Sequence, residues 1–199
     1  RLKRLPENNE RVRWLTEEEE IELFKVLPVR YWPLIITAIE TGLRKNQELI
    51  ALLKEDVDLV GMSITVKARK GGRLQRIPIN DRVAEALRPI MDSQHYNPKD
   101  LLFRSPAGDA LTNLRNAWEA AVKAAKLHDF RFHDLRHTFA SRLVMDGVPI
   151  ERVQELMGHR DIRMTQRYAH LAPGHLREAV QRLVKKPGEV KPWSARYMK

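Results

Sequence analysis

Five side chains between residues 133 and 168 could together cleave a phosphodiester. His133, Arg136 and His137 lie close together in the sequence, and His159 and Tyr168 follow downstream. A phenol is a poor nucleophile at neutral pH because its pKa is about 10, but cations that hold a phosphate can activate it. Arginine presents a planar fork that matches phosphate oxygens, and histidine can transfer protons near pH 7. The combination suggests covalent attack by a tyrosine on a nucleic-acid phosphodiester.

The composition agrees with a nucleic-acid partner. The 199-residue chain has 36 Lys and Arg against 26 Asp and Glu, which gives a net charge of +10. A polyanion is therefore the expected partner. Nucleic acid is favoured over a membrane surface because no single amphipathic helix concentrates the basic residues.

Other classes of protein are excluded by what the sequence lacks. The chain has no cysteine, so disulfides, thiolate nucleophiles and cysteine–zinc sites are ruled out. Apolar runs such as residues 33–39 are too short to span a bilayer, and residues 1–6 lack the apolar core of a signal peptide. We expect a cytoplasmic, nucleoid-associated protein.

Capping patterns and apolar periodicity predict a mostly helical α+β fold. Thr16 and Glu19 form a capping box that begins a helix, on which Ile21, Phe24 and Leu27 make an apolar stripe. Further helices are predicted over about 31–40, 46–53, 80–91, 133–146 and 149–157, and from about 112, 161 and 173 onward.

A change to strand-like alternation predicts a small antiparallel sheet in the middle of the chain. Residues 63–66 and 76–79 are predicted as two strands on either side of a hairpin tip at 70–73, which carries cations. At the ends of the chain, residues 1–13 are predicted to form an arm or linker and residues 186–199 a tail.

One alternative chemistry is a zinc site. His133 and His137 have the i, i+4 spacing of two zinc ligands on a helix. Asp134 is one methylene shorter than the glutamate of a metalloprotease, no third ligand follows at an expected spacing, and Arg136 would place a cation beside the metal. We therefore disfavour a zinc protease and interpret His137, which precedes core-like residues on its helix, as structural.

The order of these motifs carries more weight than any single residue. Thr41-Gly-Leu-Arg44, Lys70 in the hairpin, His133-Asp-Leu-Arg-His-Thr-Phe-Ala-Ser141, Leu156-Met-Gly-His159 and Tyr168 occur in that sequence. Over residues 12–185 the chain resembles the catalytic domain of the tyrosine recombinases, which include the phage integrases. The resemblance implies that family's catalytic-domain fold over residues 14–185, with a three-stranded antiparallel sheet.

The resemblance also implies a mechanism of DNA strand cleavage and rejoining. Arg44 and Arg136 would hold the oxygens of the scissile phosphate, and Tyr168 would attack phosphorus to give a 3′-phosphotyrosine and a free 5′-hydroxyl. The remaining three residues would handle protons and hydrogen bonds. They are Lys70 as general acid, His133 as the partner of Tyr168 in proton transfer, and His159 as a hydrogen-bond donor to phosphate. No metal or other cofactor is expected.

Two positions near the first arginine and in the hairpin depart from the simplest match. The family usually places glutamate three residues after the arginine, whereas here Gln47 occupies that position and Glu48 follows one residue later. Glu48 is assigned to the support of Arg44, although the extra residue leaves their contact open. In the hairpin, Lys67 is a second candidate, but Lys70 matches the family better.

The expected partner is a double-stranded DNA target site. The family implies self-association into a tetrameric synapse, and an apolar helix at about 176–184 could dock on its own domain or on a neighbour. A further N-terminal DNA-binding domain is usual in the family, so we expect a truncated form with weakened site recognition. The alternatives are a type IB topoisomerase, a telomere-resolvase-like strand transferase, or a catalytically silent DNA-binding module.

Overall fold

A computed structural model describes residues 11–67, 74–92, 97–104, 111, 114–174 and 180, with the backbone alone at Lys67. Seven α-helices lie within these ranges: α1 Glu17–Val26, α2 Trp32–Thr41, α3 Asp81–Met91, α4 Leu114–Ala124, α5 Asp134–Met145, α6 Ile150–Met157 and α7 Arg163–Gln166. None of them combines the length and the apolar character that crossing a bilayer requires.

Local sequence explains where most of these helices begin and end. The Thr16–Glu19 capping box at the start of α1 is confirmed, with both of its reciprocal hydrogen bonds formed. Asn80 caps α3 by accepting from the backbone N–H of Val83 at 3.1 Å. Gly42 and Gly158 end α2 and α6 in the left-handed conformation, at φ 63° and 61°, as glycine C-caps do.

The predicted small antiparallel sheet is confirmed and has three strands. They are β1 Val57–Asp58, β2 Ser63–Lys67 and β3 Leu74–Pro78, in the order β1-β2-β3. Ile64 pairs with Val57 on one side and with Ile77 on the other, and all three are buried. The hairpin tip, including Lys70, lies outside the described residues.

Two clusters of buried side chains form the interior. The larger cluster joins α1 to α4, the sheet and the start of α5, with Leu23, Leu34 and Ile64 fully buried. The smaller cluster joins α5, α6 and the segment after α7, and it includes Phe139 and Tyr168. Helix α5 contributes to both clusters, so the residues that it carries lie at the centre of the molecule.

The structure corrects three details of the sequence prediction. Of the predicted stripe on α1, Leu27 and Phe24 pack in or against the larger core cluster, but Ile21 is 57% exposed. Glu20 is buried in its place, between Arg82 and Arg142. The helix predicted over 46–53 is a single π-helical turn at Lys45–Leu49. Tyr168 follows α7 instead of lying within it.

The chain ends are described only in part. Arg11, in the predicted arm, contacts Asp129 and Asp134 of the domain, so the described end of that segment is attached to the fold. The capping residue Thr112, most of the predicted helix after Pro173 and the predicted tail lie outside the described residues.

Substitution Gly42→Ala should lower the free energy of unfolding by about 2–4 kcal/mol, measured by urea denaturation. A Cβ at Gly42 would lie 2.5 Å from Cδ1 of Phe139, in a backbone conformation that disfavours side chains. Gly147→Ala is the matched control, because Gly147 also has positive φ but no heavy atom within 4 Å. An equal loss in both variants would contradict the packing argument.

Candidate active site

Arg136 connects the segments that carry the candidate residues. It lies on α5 with only 6% of its surface exposed. Its Nη1 donates to the carbonyl of Gly42, and its Nη2 donates to the carbonyl of Met157. The turn before Arg44 and the end of α6 before His159 are thereby held against the same guanidinium.

Glu48 supports Arg44 in spite of the extra residue between them. In the π turn, the N–H of Leu49 donates to the carbonyl of Arg44 at 2.9 Å, a bond that spans five residues. A π turn takes one residue more than an α-turn. The Glu48 carboxylate consequently accepts from Nη1 of Arg44 at 2.6 Å and from the Arg44 backbone N–H at 2.8 Å.

His159 is held by two neighbouring elements. It directly follows the left-handed Gly158, and its Nδ1 lies 2.9 Å from the hydroxyl of Thr165. Burial, together with the charges of Arg136 and Arg44, lowers the pKa of His159 to about 4. His159 is therefore neutral at pH 7, and with Nδ1 engaged its Nε2 is the atom left to bond a phosphate oxygen.

Tyr168 is almost completely buried, with 1% of its surface exposed. Its hydroxyl lies 2.6 Å from Nδ1 of His137, and the two rings are 5.7 Å apart. Burial raises the pKa of Tyr168 to about 12, although the charge of Arg167 opposes that shift. The phenol is therefore protonated at pH 7 and bonded to the histidine that we interpreted as structural.

His133 lies on the exposed side of the site at the start of α5. Its ring meets that of His137 edge-to-face, with a centroid separation of 5.1 Å. Desolvation and the charge of Arg136 lower the pKa of His133. Burial and the charge of Arg44 lower the pKa of Arg136 to about 10, which leaves that guanidinium charged at pH 7.

These charges form a site suited to an anion. The charges of Arg136, Arg44 and Arg167 each contribute to lowering the pKa of His159, so all three cations act on this histidine. Arg167 was not among the residues chosen from sequence, since one arginine beside Tyr168 is unremarkable in a basic chain. Its Nε is buried without a hydrogen-bond partner. Cations that repel one another favour a bound phosphate, which would offset their charge.

The edge of the sheet lies beside His159. Gln75 on β3 donates from Nε2 to the carbonyl of Glu155 at 2.9 Å. Between β3 and α6 is a cleft of about 850 Å³ whose lining includes Gln75, Gly158 and His159. The strand that leads from the hairpin tip is thus fixed next to the site, while Lys70 itself lies outside the described residues.

The geometry offers little to a metal ion. Within the part of the chain that the structure describes, no group of three or more His, Asp or Glu side chains could hold one. The Nδ1 atom of His137, half of the zinc pair considered from sequence, is engaged by Tyr168.

The low pKa values of the buried histidines predict acid sensitivity. The pKa of His137 is also about 4, because of burial and the nearby charge of His133. Between pH 7 and 5 the unfolded chain takes up protons at histidine while the folded chain does not, so stability should fall as pH falls. We expect a loss on the order of 1–3 kcal/mol in urea denaturation. His137→Asn should flatten this dependence, and an unchanged slope would contradict the assignment.

Comparison with known proteins gives a consistent set of relatives. Residues 11–175 match the model described as the phage integrase family. The chain is 34% identical over 190 residues to the integrase of Salmonella phage P22. The alignment covers 88% of this chain and 48% of that protein. It therefore spans about half the length of this curated relative.

Solved structures share the fold. The catalytic domain of bacteriophage HP1 integrase is 26% identical with a TM-score of 0.65, covering 86% of this chain and 95% of that domain. The Tn1549 transposon integrase, in complex with circular intermediate DNA, is 25% identical with a TM-score of 0.70, covering 90% of this chain and 70% of that one.

Proposed function

Because the chain belongs to the phage integrase family, we propose that it is the catalytic domain of a site-specific DNA recombinase. It cleaves and rejoins DNA strands through a 3′-phosphotyrosine intermediate. Family membership confirms the resemblance found from the motifs, and the tyrosine recombinase fold is confirmed by the solved relatives. The domain limits at residues 14–185 remain a prediction.

The observation that carries the proposal is the grouping of one further arginine, Arg44, with two histidines and a tyrosine near Arg136. Arg136 is bonded to the carbonyls before Arg44 and before His159. Its charge lowers the pKa of His133 and His159 and also acts on Tyr168. Such a cluster matches a phosphate whose charge increases in a pentacoordinate transition state.

In the cleavage step, the hydroxyl oxygen of Tyr168 forms a bond to phosphorus while the bond from phosphorus to the 5′-oxygen breaks. Arg44 and Arg136 hold the non-bridging oxygens and offset their charge. Glu48 fixes the direction of the Arg44 guanidinium through its 2.6 Å contact. The new ester keeps the energy of the phosphodiester, so rejoining by the 5′-hydroxyl needs no ATP.

Two protons move in this step. The phenol proton leaves Tyr168 with the assistance of His133, and the departing 5′-oxygen takes a proton from Lys70 as general acid. Neutral His159 donates from Nε2 to a phosphate oxygen. Nδ1 of His159 faces the hydroxyl of Thr165, which orients the ring for this bond.

The proposed partner is double-stranded DNA, and four protomers would assemble on it as a synapse. The net charge of +10 supports binding to DNA, with an affinity that falls steeply as salt increases. The Tn1549 relative has been solved with DNA, which agrees with this partner. We therefore propose that it acts in the cytoplasm, at the nucleoid.

A nicked suicide substrate tests the proposal. Loss of a short 5′ fragment after cleavage traps the phosphotyrosine, so the labelled strand should migrate with the protein in a denaturing gel. Strand transfer between two duplexes would identify a recombinase, whereas relaxation or hairpin formation on one duplex would identify a topoisomerase or a telomere resolvase. No adduct on any cognate duplex would contradict the cleavage chemistry.

We expect cleavage to continue at full rate in excess EDTA. The fixed cations Arg44 and Arg136 take the role that Mg²⁺ has in many phosphoryl-transfer sites. The measurement is the adduct yield with and without excess EDTA. Loss of the adduct in EDTA and its return with added metal would point to a metal enzyme.

A further inference from the structure

The contact between His137 and Tyr168 has no role in the mechanism above, although it joins the nucleophile to a buried histidine. Tyr168 is 1% exposed and His137 is 9% exposed. Their polar atoms are 2.6 Å apart. Tyr168 belongs to the smaller core cluster, together with Phe139, Val153 and Met157. The phenol is therefore enclosed by apolar side chains, with the imidazole as its hydrogen-bond partner.

This enclosure fixes the direction of the hydrogen bond. A neutral imidazole accepts at the nitrogen that carries no proton, so Tyr168 donates to Nδ1 and the histidine proton is assigned to Nε2. The pKa values of about 12 for Tyr168 and about 4 for His137 are far apart. The proton therefore stays on the phenol, and His137 acts here as an acceptor and not as a base.

An enclosed hydroxyl cannot attack a phosphodiester of a DNA strand, because the phosphorus must come within bonding distance in line with the leaving oxygen. The phenol has to leave the imidazole and reach the exposed side of the site, where Arg44 and His133 lie. Its release breaks one hydrogen bond and uncovers apolar surface, and both effects favour the buried position.

We infer that His137 is a positioning residue for the nucleophile: it stabilises a buried position of Tyr168 from which the phenol must be released before it attacks. This inference rests on the proposed cleavage chemistry. His137 thereby sets the fraction of molecules in which Tyr168 is free to attack, while the arginines and His159 hold the phosphate.

A matched pair of substitutions separates the hydrogen bond from packing. Asparagine places an amide oxygen near the position of the histidine Nδ1, so His137→Asn keeps an acceptor for Tyr168. Leucine has nearly the shape of asparagine, so His137→Leu fills the space without an acceptor. Circular dichroism and the thermal midpoint of each variant establish that it is folded.

The first measurement is the ionisation of Tyr168 without DNA, followed at its labelled Cζ carbon by NMR and assigned with Tyr168→Phe. At pH 11 a tyrosine of pKa about 12 is mostly protonated, whereas a solvated one of pKa about 10 is mostly ionised. We expect the wild type and His137→Asn to remain protonated and His137→Leu to ionise. Equal titration in the two variants would overturn the inference.

The second measurement is the single-turnover rate of adduct formation on the suicide substrate at pH 7.5. A buried hydroxyl without a hydrogen-bond partner is destabilised by about 1–3 kcal/mol relative to a solvated one. His137→Leu should therefore release the phenol more readily and form the adduct about 5–100 times faster than His137→Asn. If His137→Leu formed the adduct more slowly than the wild type while His137→Asn kept the wild-type rate, the hydrogen bond would be needed for attack. That result would contradict the inference. If the wild type itself forms no adduct, the cleavage proposal fails, while the titration still tests the contact.

Discussion

Tyr168→Phe should abolish the covalent protein–DNA adduct while DNA affinity stays within about twofold of wild type. The substitution removes the oxygen that bonds phosphorus, and the phenol is buried at 1% exposure, so it contributes nothing to the surface that meets DNA. The lost hydrogen bond to the buried His137 should cost stability about 1–3 kcal/mol. The measurements are a denaturing gel of the suicide substrate and a gel-shift titration at fixed salt.

Tyr31→Phe is the matched control for this result. Tyr31 is 2% exposed and belongs to the larger core cluster, whereas Tyr168 belongs to the smaller one. The Tyr31 variant therefore also loses a buried phenol oxygen, but not the one next to His137. It should form the adduct at the wild-type level. An adduct that persists in Tyr168→Phe would require a different nucleophile.

Arg136→Ala should lose both cleavage and stability, because one guanidinium has two tasks. Loss of its charge at the phosphate should slow adduct formation by a factor of about 10²–10³ or more. The carbonyls of Gly42 and Met157 would also lose their donor, which should lower the free energy of unfolding by about 2–4 kcal/mol. Single-turnover kinetics and urea denaturation measure the two effects separately.

Arg142→Ala separates these effects, since Arg142 lies on the same helix but pairs with Glu20 at 2.6 Å and contacts the carbonyl of Leu15. It should lose stability and keep its cleavage rate when measured well below its unfolding midpoint. If Arg142→Ala slowed cleavage as strongly as Arg136→Ala, the kinetic loss would reflect general destabilisation, and Arg136 would have no assigned role at the phosphate.

Much of the site could be predicted from sequence because its residues lie in short motifs with local geometry. Three-residue spacing places His133 and Arg136 on one side of a helix, and Gly42 and Gly158 mark turns that admit positive φ. The family resemblance then suggested a role for each position. Composition had already indicated a polyanionic partner through the net charge of +10.

The support of Arg44 is a case where sequence left two outcomes open. In a standard capping box the residue three positions after the N-cap reaches back to its backbone N–H, and after Arg44 that residue is Gln47 instead of a glutamate. The chain instead forms one π turn at Lys45–Leu49, which takes up the extra residue and returns the carboxylate to Arg44. No local pattern distinguishes these outcomes, and in the structure Leu49 of the turn is buried in the larger core cluster.

By itself, then, the sequence indicated which residues are candidates for the chemistry, which family the chain belongs to, and where most helices begin and end. Only the tertiary structure decided which histidine bonds Tyr168, how deeply that phenol is buried, and that Arg136 also holds two turns of the main chain. The reason is physical: caps, turns and helical spacing depend on neighbours in sequence. The contacts of Arg136 and His137 span 94, 21 and 31 positions and exist only after the helices have packed.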